Sequence, residues 1–492
     1  MTSTSTISLL PQPRQVEVLP GACSVRRDAR VVVHAAEPGP GAVAEHFVAD
    51  VQARAGVHLR RAAEARPGDI ELRVGAVPAF GDEAYELLAE TRGVRLTAPT
   101  AHGLWNATRT LLQLFPESAD PHDHGAPIAL PALRIVDAPR FEWRGVMLDV
   151  ARHFFGVDHV TRLIEVIASM KLNRLHLHLT DDQGWRLEIP AHPDLTAIGG
   201  ASASAGDPGG WFTIDDWREI NRHAARHHVT VVPEIDLPGH TNAALHALPW
   251  LNPGGVAPPA YTGSEVGFST LHLDVPETRG FVEDVIAAVA EVSGPYLHIG
   301  GDEAAATDPA DYAAWVDFLH RTVARHGRTM VGWEEIAPHP LPPGTLVQHW
   351  LRPETALAAP PGARFVMSPS RHTYLDMRHD PTDPHGRRWA GDIDVDTAYE
   401  WDPAGLLPDV DDDRIAGVEA ALWTERVTTF DQVQRRYFPR LLALAEVGWT
   451  PQRLRSFEGF APRLADHADR LARRGVTVHP SVRLRGEHPG PG

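Results

Sequence analysis

The stretch Pro295-Tyr296-Leu297-His298-Ile299-Gly300-Gly301-Asp302-Glu303 decides how this chain is interpreted. Its first five residues are a short apolar run, which is typical of a strand buried on both faces. The two glycines allow the backbone to turn tightly as the strand ends. The turn brings Asp302 and Glu303 to the C-terminal end of the strand, where a barrel enzyme holds its acid and base groups. The simpler alternative is that Asp302 caps a following helix, so the rest of the chain has to decide.

From about residue 139 onward, apolar runs alternate with amphipathic stretches. Eight runs predict buried strands, at 145–149, 174–179, 229–233, 296–299, 329–333, 346–350, 364–367 and 418–423. Five stretches with helical spacing predict helices, at 157–172, 214–228, 279–292, 310–326 and 430–447. This order predicts an α/β fold, a (β/α)8 TIM barrel over residues 139–492 with enlarged loops.

Residues 1–138 predict a smaller α+β domain in front of the barrel. Its predicted strands are 30–34, 69–74 and 93–97, and its predicted helices are 42–55 and 102–114. A linker rich in Pro, His, Asp and Gly is expected at 116–131. The domain has no cluster of polar groups that would build a site, so we expect a scaffold role for it.

Composition limits the partners and the compartment. The 492 residues are 43% hydrophobic without a long apolar run, which predicts no membrane span. A net charge of −18 argues against nucleic acid and anionic membranes as partners. Cys23 is the only cysteine, which excludes an intrachain disulfide framework. Residues 1–13 show no signal peptide, so we expect a cytoplasmic protein, with secretion after signal removal as the alternative. The oligomeric state is not predictable from the sequence.

Polar residues follow the predicted C-terminal ends of all eight strands, on the barrel face where active sites lie. In chain order they are Asp149 with Arg152-His153, Thr180 to Trp185, Glu234 to His240, Asp302-Glu303, Trp333 to Glu335, Trp350, Tyr374 to Asp376, and Trp423 to Glu425. A chance distribution would scatter these groups over both barrel faces. The sequence therefore predicts a site, and capping becomes the weaker explanation for Asp302.

Aromatic residues at these strand ends indicate a sugar pocket. Trp333, Trp350, Trp423 and Tyr374 all lie at predicted strand ends or shortly after them. Aromatic faces pack against the apolar face of a sugar ring, while carboxylates and arginine bind its hydroxyl groups. A single tryptophan would be assigned to core packing by default. Their shared position favours a pocket.

The adjacency of Asp302 and Glu303 limits the mechanism. Glycosidases with two catalytic carboxylates place them on opposite sides of the scissile bond, about 5–5.5 Å apart when retaining and about 6.5–9.5 Å apart when inverting. Consecutive strand residues point to opposite sides, so this pair does not easily flank a bond in that way. One carboxylate then has a supporting role, and the nucleophile comes from elsewhere, for example from a 2-acetamido group of the substrate.

The chain resembles the β-N-acetylhexosaminidases of glycoside hydrolase family 20 over nearly its whole length. The matching stretches include Leu175 to Trp185, Val232 to His240 and His298 to Glu303. The others are 144–155, 332–335, 374–376 and 422–425. The small N-terminal domain also looks like the accessory domain of that family.

This resemblance implies an exo-acting enzyme that needs no cofactor and hydrolyses terminal β-linked GlcNAc or GalNAc from carbohydrates. It implies a substrate-assisted retaining mechanism through an oxazolinium intermediate. Glu303 is then the general acid and later the base. Asp302 orients the acetamido N–H, and Tyr374 donates a hydrogen bond to the acetamido oxygen.

The resemblance also implies the residues that bind the sugar. Arg152 holds the O3 and O4 hydroxyls, and Asp376 and Glu425 bind O4 and O6. Asp181 and His240 relay to Glu303 and tune its pKa upward. Three tryptophans wall and floor the pocket, namely Trp333, Trp350 and Trp423.

Two alternatives from other classes remain. A metal-dependent barrel hydrolase could use His176 and His178, whose alternation places both imidazoles on one face of a strand, with His240, His298 and Asp302 as further ligands. Such histidines can equally hydrogen-bond to carboxylates at the strand ends. The second alternative is a catalytically silent sugar-binding protein, against which the acid/base pair argues.

Overall fold

The computed structural model describes residues 7–35, 38–117, 127–481 and 483. The chain divides into two compact units. The first consists of Met1–Arg140, Ser169–Lys171 and Ala445–His467, and the second of Phe141–Ala168, Leu172–Leu444 and Ala468–Gly492. Among the described residues, no helix combines the length and the apolar composition that crossing a bilayer requires.

The first unit contains a seven-stranded mixed sheet with the strand order β1-β7-β5-β6-β4-β2-β3. Its strands are β1 (Gln15–Val25), β2 (Arg30–His34), β3 (Arg60–Ala62), β4 (Ile70–Val74), β5 (Tyr85–Glu90), β6 (Gly93–Ala98) and β7 (Ile128–Asp137). The helices α1 (Pro38–Ala55) and α2 (Ala101–Leu114) accompany the sheet. Parallel pairs join β3, β2, β4 and β6, and antiparallel pairs join β6, β5, β7 and β1.

The predicted elements of this unit are confirmed, but the prediction is incomplete. The strands β2, β4 and β6 and both helices lie where the apolar spacing indicated. Strands β1, β3, β5 and β7 were not predicted. The linker prediction is wrong from Ile128 onward, where β7 begins and pairs with both β1 and β5. Residues 118–126 of that linker lie outside the described residues.

The second unit is a closed barrel of eight parallel strands, which confirms the predicted fold. Around the barrel they are β8 (Trp143–Asp149), β9 (Arg174–His178), β12 (Thr230–Glu234), β13 (Tyr296–His298), β14 (Thr329–Trp333), β15 (Leu346–His349), β16 (Arg364–Met367) and β17 (Ile415–Leu422). Two short strands after β9, β10 (Thr180–Asp181) and β11 (Gly184–Trp185), form an antiparallel pair.

Helices follow most of the barrel strands, and several are shorter than a regular barrel helix. The longer ones are α3 (Val157–Ser169), α5 (Ile214–Arg226), α7 (Thr278–Val292), α8 (Pro309–Arg325), α12 (Phe430–Tyr437), α13 (Arg440–Trp449) and α14 (Phe457–Arg473). The shorter ones are α4 (Asp194–Ala197), α6 (Asn242–Ala247), α9 (Pro353–Ala356), α10 (Ser370–Thr373) and α11 (Val395–Tyr399). The single helix predicted at 430–447 is two helices, because Pro439 between them lacks an N–H for helical hydrogen bonding.

The strand register brings the functional side chains to one level. Asp149 of β8 pairs with His178 of β9, His178 pairs with Glu234 of β12, and Glu234 pairs with His298 of β13. The last residues of four neighbouring strands therefore form one polar layer inside the barrel. An apolar layer packs nearer the strand starts and includes Trp143, Val232, Val331, Leu346, Val366 and Ala416.

Candidate active site

A pocket opens where the barrel strands end, and eight of the eleven residues predicted for the site line it. These are Arg152, Asp302, Glu303, Trp350, Tyr374, Asp376, Trp423 and Glu425. Four lining residues were not predicted, namely Ser264, Val266, Arg387 and Trp389. The three predicted residues that do not line the pocket are Asp181, His240 and Trp333, which lie around it.

Glu303 is the carboxylate best placed to exchange protons. Its side chain is 37% exposed, whereas that of its neighbour Asp302 is 10% exposed. Burial raises the pKa of Glu303, and the negative charge of Asp302 raises it further. His240 and Arg152 act in the opposite direction and lower this pKa. A carboxyl group whose pKa is raised stays protonated nearer to neutral pH, as a general acid requires.

The turn after β13 is held in an unusual backbone conformation. Gly300 and Gly301 have φ angles of 65° and 102°, and Glu303 has a φ of 47°. A Cβ atom on Gly300 would overlap the Asp236 carboxylate, which also accepts a hydrogen bond from Gly301 N at 3.0 Å. These contacts confirm that glycine is required at this turn, and they fix the direction in which Glu303 leaves the barrel.

Asp181 links three positively charged or protonatable groups behind Glu303. Its carboxylate lies 2.6 Å from Arg152 Nη2, 2.7 Å from His178 Nε2 and 3.1 Å from His240 Nδ1. Burial raises the pKa of Asp181, but Arg152 and His240 outweigh it and hold that pKa well below its usual value. Asp181 is therefore a carboxylate anion and acts on the pocket through its neighbours.

His240 connects this group to Glu303. Its Nε2 lies 3.6 Å from Glu303 Oε2 and 3.8 Å from Asp302 Oδ2. Burial lowers the pKa of His240, but Asp181 and Asp236 raise it well above the usual value, so the imidazole is cationic. A cation beside Glu303 lowers the pKa of that acid. The expectation that His240 tunes Glu303 upward is therefore wrong, although Asp181 does raise the pKa of Glu303.

Arg152 lines the pocket and is fixed by buried partners. Besides Asp181, it contacts Asp149 Oδ2 at 3.3 Å and donates from Nε to Gln183 Oε1 at 3.1 Å. Its guanidinium carbon lies 5.0 Å from the ring centre of Trp423. Because these contacts fix the side chain, it can bind sugar hydroxyl groups with little loss of conformational entropy.

Asp376 and Glu425 form an acidic corner of the same pocket. Burial and the charge of Glu425 raise the pKa of Asp376 to about 7. Glu425 is ion-paired with Arg387. Among the described residues, Asp302 Oδ1, Asp376 Oδ1 and Glu425 Oε2 are buried oxygens without a hydrogen-bond partner. Buried acceptors normally have donors, so three such oxygens in one pocket indicate that it receives a ligand rich in O–H and N–H groups.

Aromatic rings form the apolar part of the pocket. Tyr374 is stacked on Trp350, with ring centres 6.0 Å apart and an angle of 8°. Trp389 meets Tyr374 edge-on at 5.7 Å, and Trp423 lies 6.2 Å from Tyr374. Burial and the charge of Asp302 raise the pKa of Tyr374 well above its usual value, so the hydroxyl keeps its proton and can donate a hydrogen bond.

Trp333 takes a different position from the other two predicted tryptophans. It is almost fully buried, and its Nε1 donates to Glu234 Oε1 at 2.8 Å. Its ring centre lies 5.9 Å from that of Trp423. Trp333 thus supports a ring that lines the pocket.

His176 and His178, the proposed metal ligands, are engaged with carboxylates. His178 contacts Glu234 through Nδ1 at 2.5 Å and Asp181 through Nε2 at 2.7 Å. His176 contacts Glu419 at 2.8 Å and Glu234 at 3.1 Å. Burial lowers both pKa values, but these carboxylates raise that of His176 to about 9 and that of His178 to about 10. Protonated imidazoles have no free lone pair for a metal, so these two histidines suit ion pairs better than metal binding.

Two pocket residues that were missed come from the long connection between β16 and β17. Arg387 and Trp389 follow Gly386, in a segment without apolar periodicity. Backbone hydrogen bonds from Arg387 N to Asp376 O, and from Arg378 N to Arg387 O, bring this segment back to the pocket. The signals in the sequence are the length of this connection, which is typical of functional or disordered loops, and a tryptophan with two arginines inside it. Together they are weak evidence for a site.

The chain is similar to proteins of one glycosidase family along nearly its whole length. The sequence profile described as "Glycosyl hydrolase family 20, catalytic domain" matches residues 141–452, and "Glycosyl hydrolase family 20, domain 2" matches residues 6–138. A β-N-acetylhexosaminidase of Cellulomonas fimi is 40% identical over 99% of this chain and 98% of its own.

Solved structures give the same result. An N-acetyl-β-hexosaminidase of Streptomyces plicatus in complex with Thio-NAglucal matches with a TM-score of 0.93 and 41% identity, covering 98% of both chains. An exo-β-N-acetylglucosaminidase of Vibrio harveyi in complex with N-acetylglucosamine matches with a TM-score of 0.85 and 29% identity, covering 97% of this chain and 79% of its own.

Proposed function

The chain belongs to glycosyl hydrolase family 20, and on this premise we propose that it is a β-N-acetylhexosaminidase. It removes a terminal, non-reducing, β-linked N-acetylhexosamine from a carbohydrate. The observation that carries the proposal is the grouping in one pocket of a raised-pKa acid, an aromatic wall and three unpartnered carboxylate oxygens. Neither the metal-dependent hydrolase nor the silent binding protein is favoured by these features.

The first step cleaves the glycosidic bond with the help of the substrate. The acetamido oxygen attacks the anomeric carbon, and the bond from that carbon to the leaving oxygen breaks. Glu303 gives its proton to the leaving oxygen. Tyr374 donates to the acetamido oxygen, and Asp302 accepts from the acetamido N–H, which favours the positive charge of the oxazolinium intermediate.

The second step restores the enzyme. Glu303, now a carboxylate, takes a proton from water as the water oxygen attacks the anomeric carbon. The bond from that carbon to the acetamido oxygen breaks, and the configuration of the starting sugar is retained. Meanwhile the unpartnered oxygens of Asp376 and Glu425, together with Arg152, hold the sugar hydroxyl groups.

Hydrolysis of p-nitrophenyl β-N-acetylglucosaminide beside p-nitrophenyl β-glucoside tests the proposal. The glucoside has no acetamido group, so we expect cleavage of the acetamido sugar only. Equal cleavage of both would refute the substrate-assisted step and require a nucleophile from the protein. Cleavage of neither would refute the activity itself.

A variant pair tests the acid. We expect Glu303→Gln to lower kcat on an unactivated disaccharide about 10²–10⁴-fold, because no proton reaches the leaving oxygen. N-acetylglucosamine should still bind, as measured by calorimetry. The control is Glu277→Gln, an exposed residue outside the pocket, which should behave as the unchanged protein. Full activity of Glu303→Gln would show that the acid is another residue.

A further inference from the structure

A second concave surface lies beside the pocket and is rich in arginine. This groove, here called the arginine groove, has a volume of about 760 Å³, within the range of ligand sites at ~300–1,000 Å³. Its lining residues are Arg378, Pro381, Asp383, Pro384, Gly386–Trp389 and Arg426. Arg387 and Trp389 line both the groove and the pocket, so the two surfaces adjoin.

The charge of the arginine groove is opposite to that of the whole chain. Four arginines and a single acidic residue, Asp383, line it, in a protein with a net charge of −18. Asp383 is already neutralised, because Arg436 forms two contacts with it, at 2.5 and 2.8 Å. The acidic lining residue is therefore offset, and the arginines of the groove that have no carboxylate partner among the described residues can attract an anion.

Two of the four arginines are not ion-paired within the described part of the chain and can contact an anionic ligand. Arg387 is ion-paired with Glu425, and Arg378 is ion-paired with Asp392. Arg388 and Arg426, in contrast, are exposed and form no ion pair with any residue that the structure describes. Arg426 directly follows Glu425 in the turn after β17, and Arg388 lies between the pocket residues Arg387 and Trp389.

The groove is built on fixed backbone. Arg378 N donates to Arg387 O at 2.8 Å, and Ile393 N donates to Arg378 O at 2.9 Å. The buried Arg440 donates to the carbonyl oxygens of Leu375, Met377 and Ile393. A Cβ atom on Gly386 would overlap the backbone of Arg378, which shows how closely the two segments pack. A ligand entering this groove therefore needs little ordering of the loop.

We propose that the arginine groove binds the leaving-group part of an anionic glycan through Arg388 and Arg426. The anion is a carboxylate or a sulfate on the sugar next to the scissile bond. The inference rests on the proposed function. An exo-acting pocket holds only the terminal sugar, so the remainder of the glycan extends beyond the pocket. The shared wall at Trp389 makes the groove the adjoining place for it.

Matched disaccharides test this proposal. The probes are N-acetylglucosamine β-linked to O4 of glucose, of glucuronic acid or of glucose 6-sulfate, with p-nitrophenyl β-N-acetylglucosaminide as a neutral reference. We expect kcat/KM to be about 3–10-fold higher for the charged disaccharides than for the neutral one, the effect of two solvent-exposed charge contacts. The preference should shrink in about 0.5 M NaCl, because salt screens exposed charges.

The variant Arg388→Ala/Arg426→Ala should lose this preference while cleaving the neutral probes as before. The control Arg218→Ala/Arg222→Ala removes two exposed arginines from α5 and should keep the preference. A higher kcat/KM for the glucuronic acid disaccharide alone would show that the groove prefers a carboxylate. A higher kcat/KM for both charged disaccharides would show that it accepts either anion, and both results support the site.

Three outcomes would overturn the inference. Equal kcat/KM for neutral and charged disaccharides refutes the anion site while leaving the hexosaminidase activity intact. A preference that persists in Arg388→Ala/Arg426→Ala would place the anion contact outside the arginine groove. Cleavage of none of the probes would refute the proposed function, and the inference with it.

Discussion

At the residue scale, opposing charges set the protonation of Glu303. Burial and Asp302 raise its pKa, whereas cationic His240 and Arg152 lower it. A carboxyl group under such opposing influences suits the proposed role of Glu303, which donates a proton in the first step and accepts one in the second. The family motif predicts Glu303 and His240 as site residues from the sequence. The sign of the His240 effect could not be read there, because it depends on the carboxylates that fold around the imidazole.

Substitutions on the two sides of Glu303 should shift its titration in opposite directions. His240→Asn removes a cation 3.6 Å away, so the pKa of Glu303 rises and the basic limb of the kcat/KM profile moves to higher pH. Asparagine suits this position because His240 has a φ of 54°. Asp302→Asn removes an anion and should move the same limb to lower pH. Profiles measured from pH 4 to 9 on one substrate would check both, and shifts in the same direction would contradict this account.

At the element scale, the barrel was predictable because each strand is a buried apolar run that ends in polar residues. The register from Asp149 through His178 and Glu234 to His298 was not predictable, since it arises only when the barrel closes. The strands β1 and β7 were not predicted for other reasons. Most residues of β1 are exposed, and β7 contains Pro131 inside a segment that resembled a linker. Trp389 was not predicted as a site residue because its loop shows no hydrophobic periodicity that would place its side chains.

Glu234, the last residue of β12, is the centre of the polar layer. It contacts Trp333, His176, His178 and His298. We expect Glu234→Gln to lower the free energy of unfolding by about 3–5 kcal/mol near neutral pH, because buried cations lose their anion. Urea unfolding followed by tryptophan fluorescence measures this loss.

The pH dependence identifies the groups that are responsible. The folded-state pKa values of His176 and His178, about 9 and 10, exceed the unfolded value of about 6.5, so their stabilisation is present below pH ~6.5 and disappears as pH rises through 9 to 10. In Glu234→Gln, the free energy of unfolding should decrease less between about pH 6.5 and 10. The exposed pair of Glu283 with Arg325 is the control, since Glu283→Gln should cost at most about 1 kcal/mol. A Glu234→Gln loss as small as the control's would contradict the role of the layer.

At the scale of the whole molecule, the first compact unit is not one continuous piece of sequence. Residues Ala445–His467 belong to it together with Met1–Arg140. Gln12 N donates to Glu446 Oε2 at 2.9 Å, and Trp449 Nε1 donates to Asp137 Oδ2 at 2.9 Å. This pairing could not be predicted from the sequence, because nothing local marks Glu446 or Trp449 as partners of residues more than 300 positions away.

A fragment of residues 139–492 should therefore be less stable than the full chain. It lacks Gln12 and Asp137, so Glu446 and Trp449 lose these partners. We expect Tm to fall by about 5–10 °C, measured by differential scanning calorimetry. Co-expression of residues 1–138 with the fragment is the control and should restore Tm. An unchanged Tm of the fragment alone would show that the C-terminal segment does not depend on the first 138 residues.

The left-handed backbone at Glu303 and His240 has an evolutionary consequence. Non-glycine residues in this conformation cost about 1–3 kcal/mol each, and Glu303 and His240 both belong to the proposed acid machinery. A gene copy released from selection for catalysis would gain stability by replacing Glu303 with glycine or asparagine. Mutations at Glu303 that abolish activity are therefore expected to stabilise the fold. A silent descendant should show that replacement before changes at the aromatic wall, so the position is a marker for pseudoenzymes.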